Sequence, residues 1–163
     1  MAREEIEEFM TANRITVESV FIPWSRSRNK GEKQPSLNWK VTIKKDGRHV
    51  LTTDYSAGMG HAPSYKHFVS IAVMTSVKLE CEHGKAAGKP ILPDACDVLY
   101  SLASDASVLD YSEFENWASD FGYDTDSRKA EAIYRACLDT ALKLRNGLGD
   151  AGLRALQKAS QDY

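Results

Sequence analysis

The side chains best suited to bind a partner in this chain of 163 residues are basic ones, concentrated in one stretch. Residues 24–48 contain eight Lys or Arg side chains and two acidic ones, although the net charge of the whole chain is −2. Lys and Arg neutralise phosphates, and an exposed Trp can stack on nucleic-acid bases. The predicted nucleic-acid or partner-binding surface comprises Trp24, Arg26, Arg28, Lys30, Lys33, Lys40, Lys44, Lys45 and Arg48. The alternative is a solvated strand face beside an exposed loop.

A second basic pair, Arg128 and Lys129, directly follows Ser127, a residue able to cap a helix. Positive side chains oppose the helix dipole at that end, which costs about 0.3–1 kcal/mol. An anion or an acidic partner bound at this pair would offset the cost, and the internal alternative is Asp120 or Asp124 folding back. The aspartates Asp124 and Asp126 do not predict a calcium loop, because no glycine supplies the sharp turn.

Residues that could bind a metal or perform catalysis are scattered rather than arranged in a recognisable motif. Cys81, His83 and Cys96 could contribute to a zinc site, but their spacing matches no common set of zinc ligands. His61 lies in a glycine-rich loop, yet no Ser, Cys or Asp partner stands at a spacing typical of a catalytic triad. That loop also lacks the pattern of a dinucleotide- or phosphate-binding motif. The sequence therefore predicts no catalytic residue, no metal and no cofactor, and a protein that is not an enzyme.

The front half of the chain has the apolar spacing of helices and strands in alternation. Residues 3–13 predict a helix, and the alternation within residues 37–45 predicts a strand with one buried face. Asp46 and Gly47 favour a tight hairpin turn. The predicted strands are residues 15–22, 37–45 and 49–55. Their order, with a second predicted helix over residues 66–82, matches the layout of a double-stranded-RNA-binding domain.

The back half of the chain is predicted to be helical, with recognisable start and stop signals. Ser112 and Glu115 have the spacing of a capping box, in which each side chain bonds the backbone amide of the other at a helix start. Gly122 is expected to end that helix with a positive φ. Asp126 or Ser127 is expected to cap the next helix.

These elements together predict an α+β fold made of two small subdomains. Residues 1–84 are expected to form a small antiparallel sheet of about three strands with two helices, and residues 91–163 a helical subdomain. No run of about 18 apolar residues is present, so neither a membrane span nor a membrane partner is expected. The three cysteines are widely spaced and odd in number, which predicts reduced thiols and a cytoplasmic location.

Two stretches of the sequence resemble those of a known family. The first is residues 54–63 (DYSAGMGHAP), and the second starts with residues 97–107 and continues through residues 114–117 to residues 121–130 (FGYDTDSRKA). With these motifs the chain resembles a family of small accessory proteins encoded by tailed bacteriophages and prophages. Such proteins often interfere with host enzymes or host defence, including CRISPR systems, so the resemblance implies a phage setting and an anti-CRISPR-like role.

The expected function is that of a phage-encoded, non-enzymatic effector in the host cytoplasm. It would bind and inhibit a host protein or nucleoprotein complex, as anti-CRISPR proteins do. The contact could involve the basic stretch or the thirteen carboxylates of residues 93–163, which could mimic nucleic acid or simply be the exposed faces of helices. The alternative function is a module that binds DNA or RNA through the basic hairpin and loop of residues 24–48.

Overall fold

The computed structural model describes residues 2–21, 38–56 and 92–161, which form helices and one small sheet. In chain order the elements are α1 (Ala2–Asn13), β1 (Ile15–Phe21), β2 (Asn38–Lys45), β3 (Arg48–Ser56), α2 (Ala95–Ala106), a 3₁₀ helix (Ser107–Asp110), α3 (Phe114–Asp120) and α4 (Arg128–Ala159). The three strands form an antiparallel sheet, so the predicted α+β fold is confirmed. The predicted helix over residues 66–82 lies outside the described residues, and the RNA-binding-domain layout stays a prediction.

A two-residue turn joins β2 to β3 and sets the register of the sheet. Asp46 and Gly47 have φ values of 50° and 75°, as the tight hairpin turn predicted for them requires. The strand order is β1-β2-β3, and Ile43 lies opposite Val17 on one side and Leu51 on the other. Because side chains alternate along a strand, these apolar residues share the inner face of the sheet.

One hydrophobic core lies between that inner face and the helices. It includes Ile6 of α1, Ile43 of β2, Leu99 of α2 and Leu144 of α4, all of them fully buried. Helix α4 packs against β3 and also against α1 and α2. The core therefore joins the described parts of the two predicted subdomains. Their predicted boundary, residues 84–90, lies outside the described residues, and the division itself stays a prediction.

Helix α4 is 32 residues long and has a break near its end, at Gly149. The backbone of Gly149 is not helical there, with φ 77° and ψ 165°. The segment after the break packs against the core through Leu153 and Leu156, both buried, rather than fraying at the end of the chain. Within the described ranges, neither α4 nor any other helix combines the length and apolar character needed to cross a membrane.

The predicted capping box at Ser112 and Glu115 is wrong. Helix α3 starts one residue later, with Glu113 as its N-cap in an extended conformation and no side chain bonded to the cap. This start lets Trp117 become fully buried with Phe114 packed on its ring, and that packing outweighs a cap in solvent.

The other two helix signals are confirmed. Gly122 follows α3 with φ 73°, and Ser127 caps α4 by accepting a hydrogen bond from the Ala130 amide.

Candidate functional site

Four of the nine residues of the predicted basic surface lie on the described hairpin. Lys40 and Lys44 project from the outer face of β2, between residues that point into the core. The Nζ atom of Lys44 donates a hydrogen bond of 2.6 Å to Glu18 on β1, and Lys40 lies opposite Asp54 on β3. The charge of this face is therefore partly balanced. Lys45 and Arg48 lie opposite each other beside the turn.

The other five residues of that surface lie outside the described residues. They are Trp24, Arg26, Arg28, Lys30 and Lys33. Binding by the whole basic surface stays a prediction.

The rest of the outer sheet face is polar and locally hydrogen-bonded. The hydroxyl groups of Thr42 and Thr52 are 3.0 Å apart across the two strands. The Nε2 atom of His49 lies 2.9 Å from the same Thr52 hydroxyl. This face can accept and donate hydrogen bonds, but its described part is not a continuous basic patch.

Arg128 and Lys129 occupy the first turn of α4 and are exposed. Within the described part of the chain, neither forms an ion pair. Neither Asp120 nor Asp124 forms an ion pair with them, and the Oδ1 atom of Asp124 accepts a 3.0 Å hydrogen bond from the Asp126 amide. The predicted binding of an anion or acidic partner by this basic pair stays a prediction.

Of the residues considered as zinc ligands, only Cys96 lies in the described ranges. Cys96 is buried at the start of α2, and burial, with the nearby Asp94 carboxylate, raises its pKa to about 11. Without a bound metal, the thiol is thus protonated at neutral pH. Among the described residues no group of three His, Cys, Asp or Glu side chains could hold a metal ion. Cys81, His83 and His61 lie outside the described residues.

The largest feature that the sequence reasoning missed is a stretch with carboxylates and no basic residue at all. Residues 92–127 contain nine Asp or Glu side chains and not one Lys, Arg or His. Six of these carboxylates are exposed on the 3₁₀ helix, on α3 and on the adjoining loops, and we refer to them together as the acidic surface: Asp110, Glu113, Glu115, Asp120, Asp124 and Asp126. The stretch is visible when acidic residues are counted in each interval between two successive basic residues, rather than over the whole of residues 93–163.

The acidic surface is attached to the core through the aromatic ring of Trp117. This side chain is fully buried, and its ring stacks on Tyr123 with centroids 5.3 Å apart and an interplanar angle of 18°. The ring of Phe121, which follows α3, and the ring of Tyr134 on α4 also pack on Trp117. Each ring centroid lies 5.4 Å from that of Trp117. The backbone closes over this cluster because the Tyr123 amide donates a 2.8 Å hydrogen bond to the Ala118 carbonyl. The loop after α3 is thereby held in one conformation.

The acidic surface carries six negative charges, and the exposed Arg128 and Lys129 adjoin it at one end. None of its six carboxylates forms an ion pair with any residue that the structure describes. Partial burial, together with the carboxylates of Asp120 and Asp110, raises the pKa of the Tyr111 phenol beside them. A surface of this kind attracts cations and basic proteins over distances of about the Debye length, roughly 8–10 Å at physiological salt.

Comparison of the chain with protein-family models, with curated proteins and with solved structures found no match.

Proposed function

We propose that this protein is a non-enzymatic effector that binds and inhibits a host protein or nucleoprotein complex, and that the acidic surface makes the contact. The observation that supports it is the stretch of residues 92–127, where six exposed carboxylates occur without a basic residue between them. The target would be a basic surface that otherwise binds DNA or RNA. The resemblance to phage accessory proteins is consistent with a bacterial host as the source of that target.

A rigid acidic surface is a good competitor for a nucleic-acid site. Double-stranded DNA presents about one negative charge per 1.7 Å of its axis, and much of its affinity for proteins comes from that charge. A protein that presents several carboxylates can occupy the same Lys and Arg side chains. Complementary charge also speeds the encounter of the two proteins at low salt.

Preorganisation strengthens this proposal. The loop of residues 121–127 is held by the ring of Trp117, and Ser127 fixes its end by capping α4. Little conformational entropy would be lost when such a surface binds, because the backbone is already ordered. An acidic tail of the same charge would lose this advantage.

The test is inhibition of a target captured from the bacterial host. The captured protein is purified, its binding to DNA or RNA is measured, and the present chain is then added. We expect stoichiometric loss of nucleic-acid binding that weakens as the salt concentration rises. A host that yields no partner, or a partner that keeps its nucleic acid, would overturn the proposal.

Matched variants assign the contact to the acidic surface. The test variant combines Glu113→Gln, Glu115→Gln and Asp126→Asn, three exposed side chains with no ion pair to a described residue. The control combines Glu5→Gln, Glu8→Gln and Asp54→Asn, which changes the net charge equally at exposed positions elsewhere. Inhibition should weaken at least tenfold in the test variant only, which corresponds to about 1.4 kcal/mol. Equal inhibition by both variants would show that the acidic surface does not contact the target.

The second candidate function is direct binding of DNA or RNA by residues 24–48, favoured by their eight basic side chains. It predicts salt-sensitive retention on nucleic acid that is lost when Arg26, Arg28, Lys44 and Lys45 are made neutral. No retention at low salt would exclude it.

A further inference from the structure

A groove of about 430 Å³ runs between the last turns of two helices. One wall is the end of α2 with the 3₁₀ helix, and includes Ser107 and Asp110. The other wall is the segment of α4 beyond its break, and includes Arg154, Gln157 and Lys158. We call it the C-terminal groove. Its volume falls within the range of about 300–1,000 Å³ that is common for sites of small ligands.

The two cations of this groove differ from others on the same helix. Arg135, Lys143 and Arg145 of α4 each form an ion pair with a nearby acidic residue. By contrast, Arg154 and Lys158 form no ion pair with any residue in the described part of the chain. They are four residues apart and so lie on the same side of the helix, one turn from each other.

The helix dipole stabilises only one of the two positive charges. Lys158 lies in the last turn of α4, where a positive charge is favoured by about 0.3–1 kcal/mol. Arg154 lies more than a turn from that end, beyond the reach of this effect. An external anion would contact both charges at once, and their combined attraction has to exceed the repulsion from the same helix end.

We propose that the C-terminal groove binds a small organic phosphate that also has hydroxyl groups, such as a sugar phosphate. The planar guanidinium of Arg154 can donate two parallel hydrogen bonds to a phosphate, and the ammonium of Lys158 adds a second charge from the next turn. Asp110, on the opposite wall and outside ion-pair distance of both cations, accepts hydrogen bonds from a ligand hydroxyl. Its charge also disfavours a ligand with a second anionic group at that end.

The test is calorimetric titration of the full chain with ribose 5-phosphate, inorganic phosphate and ribose. We expect saturable binding of ribose 5-phosphate with a Kd of about 1 mM or tighter, weaker binding of inorganic phosphate and none of ribose. Asp110→Asn should strengthen the binding of inorganic phosphate. The affinities of inorganic phosphate and ribose 5-phosphate should therefore become more similar.

Two double variants identify the groove as the site. Arg154→Gln with Lys158→Gln should weaken binding of ribose 5-phosphate at least tenfold. Arg135→Gln with Lys143→Gln makes the same change of net charge on the same helix, outside the groove, and should leave the binding unchanged.

Several results would overturn this proposal. They are no saturable binding at about 10 mM ligand, an equal loss in both double variants, and equal binding of ribose with and without its phosphate. If the Arg154/Lys158 double variant does not fold, each single substitution is measured instead, and an unchanged affinity in both overturns it as well. The acidic-surface variants described above retain Asp110, so the two proposals can fail separately.

Discussion

Gly147 of α4 lies directly against Val50 of β3. A Cβ atom at position 147 would be 2.4 Å from the Cγ1 atom of Val50 and 2.9 Å from its Cγ2 atom. Glycine inside a helix usually costs about 1 kcal/mol relative to alanine. It is favoured here because the side chain of Val50 occupies the space that a Cβ atom at position 147 would need.

Gly147→Ala should therefore destabilise the protein although alanine favours a helix. We expect a loss of about 1–3 kcal/mol in the free energy of unfolding, from the displacement of α4 or Val50. In a double-mutant cycle measured by urea unfolding, Val50→Ala should recover part of that loss, because it removes the clashing methyl groups. A Gly147→Ala variant as stable as the original chain would contradict the close approach.

Ser127→Ala should destabilise the start of α4. Its hydroxyl oxygen accepts a hydrogen bond of 3.2 Å from the Ala130 amide, and loss of an N-cap of this kind costs about 1 kcal/mol. Ser112→Ala is the matched control, since Ser112 is exposed and is not the N-cap of α3. The control should change the free energy of unfolding by less than about 0.5 kcal/mol. If urea unfolding showed an equal loss of unfolding free energy in both variants, Ser112 would be a helix cap after all.

Asp94 should make the stability of the protein depend on pH. Its Oδ2 atom accepts a hydrogen bond of 2.6 Å from Arg3, and its Oδ1 atom accepts one from the Cys96 amide. Partial burial raises the pKa of Asp94, but Arg3 and the Cys96 amide outweigh it and leave the pKa below the ordinary 3.8. A carboxylate with a lowered pKa stabilises the folded state above its unfolded pKa, and this contribution disappears as the pH falls through the folded value.

The variants Asp94→Asn and Arg3→Gln test this dependence. Asparagine can still cap α2, so Asp94→Asn should cost only the ion pair, roughly 0.2–1 kcal/mol at pH 7. The difference from the original chain should shrink as the pH is lowered below 3.8. Arg3→Gln should destabilise the protein at least as much at pH 7, because it removes the ion pair with Glu7 as well as the one with Asp94. If Asp94→Asn lowered the free energy of unfolding by the same amount at pH 7 and at pH 3, the charge of Asp94 would not contribute to stability.

Trp117 should contribute through its volume rather than through its indole N–H. The Nε1 atom is buried and has no hydrogen-bond partner among the residues that the structure describes. We expect Trp117→Ala to cost about 3–5 kcal/mol, and Trp117→Phe clearly less, because phenylalanine fills part of the site and has no unsatisfied donor. Hydrogen exchange at the Tyr123 amide should accelerate in Trp117→Ala, since that amide closes the cluster. If Trp117→Phe cost as much unfolding free energy as Trp117→Ala, the indole N–H would contribute to stability and not only the ring volume.

Much of the local structure could be predicted from the sequence because its signals span only a few residues. Asp46 and Gly47 tolerate positive φ, and so does Gly122, which allowed the hairpin turn and the end of α3 to be predicted. Ser127 was predicted as a cap because its bond reaches only three residues along the chain.

The capping box failed where a local signal competed with packing. Ser112 and Glu115 have the right spacing, but the start of α3 is set by Trp117, which contacts Tyr134 of another helix. A contact between residues 17 apart in the chain has no short-range signature. The acidic surface was visible in the sequence as composition, but its exposure and its attachment through Trp117 were not.

The sequence by itself determined the α+β class, the hairpin, the end of α3 and the start of α4, because propensity, turn chemistry and capping act over a few residues. Only the tertiary structure decided which charges remain without a partner. Lys44 is compensated by Glu18, which is 26 residues away and reaches it only across the sheet. Arg154 and Lys158 lie across a groove from Asp110 because α4 breaks at Gly149 and its last segment packs back on the core. Contacts of this kind depend on how the elements pack in three dimensions, and no pattern along the chain records them.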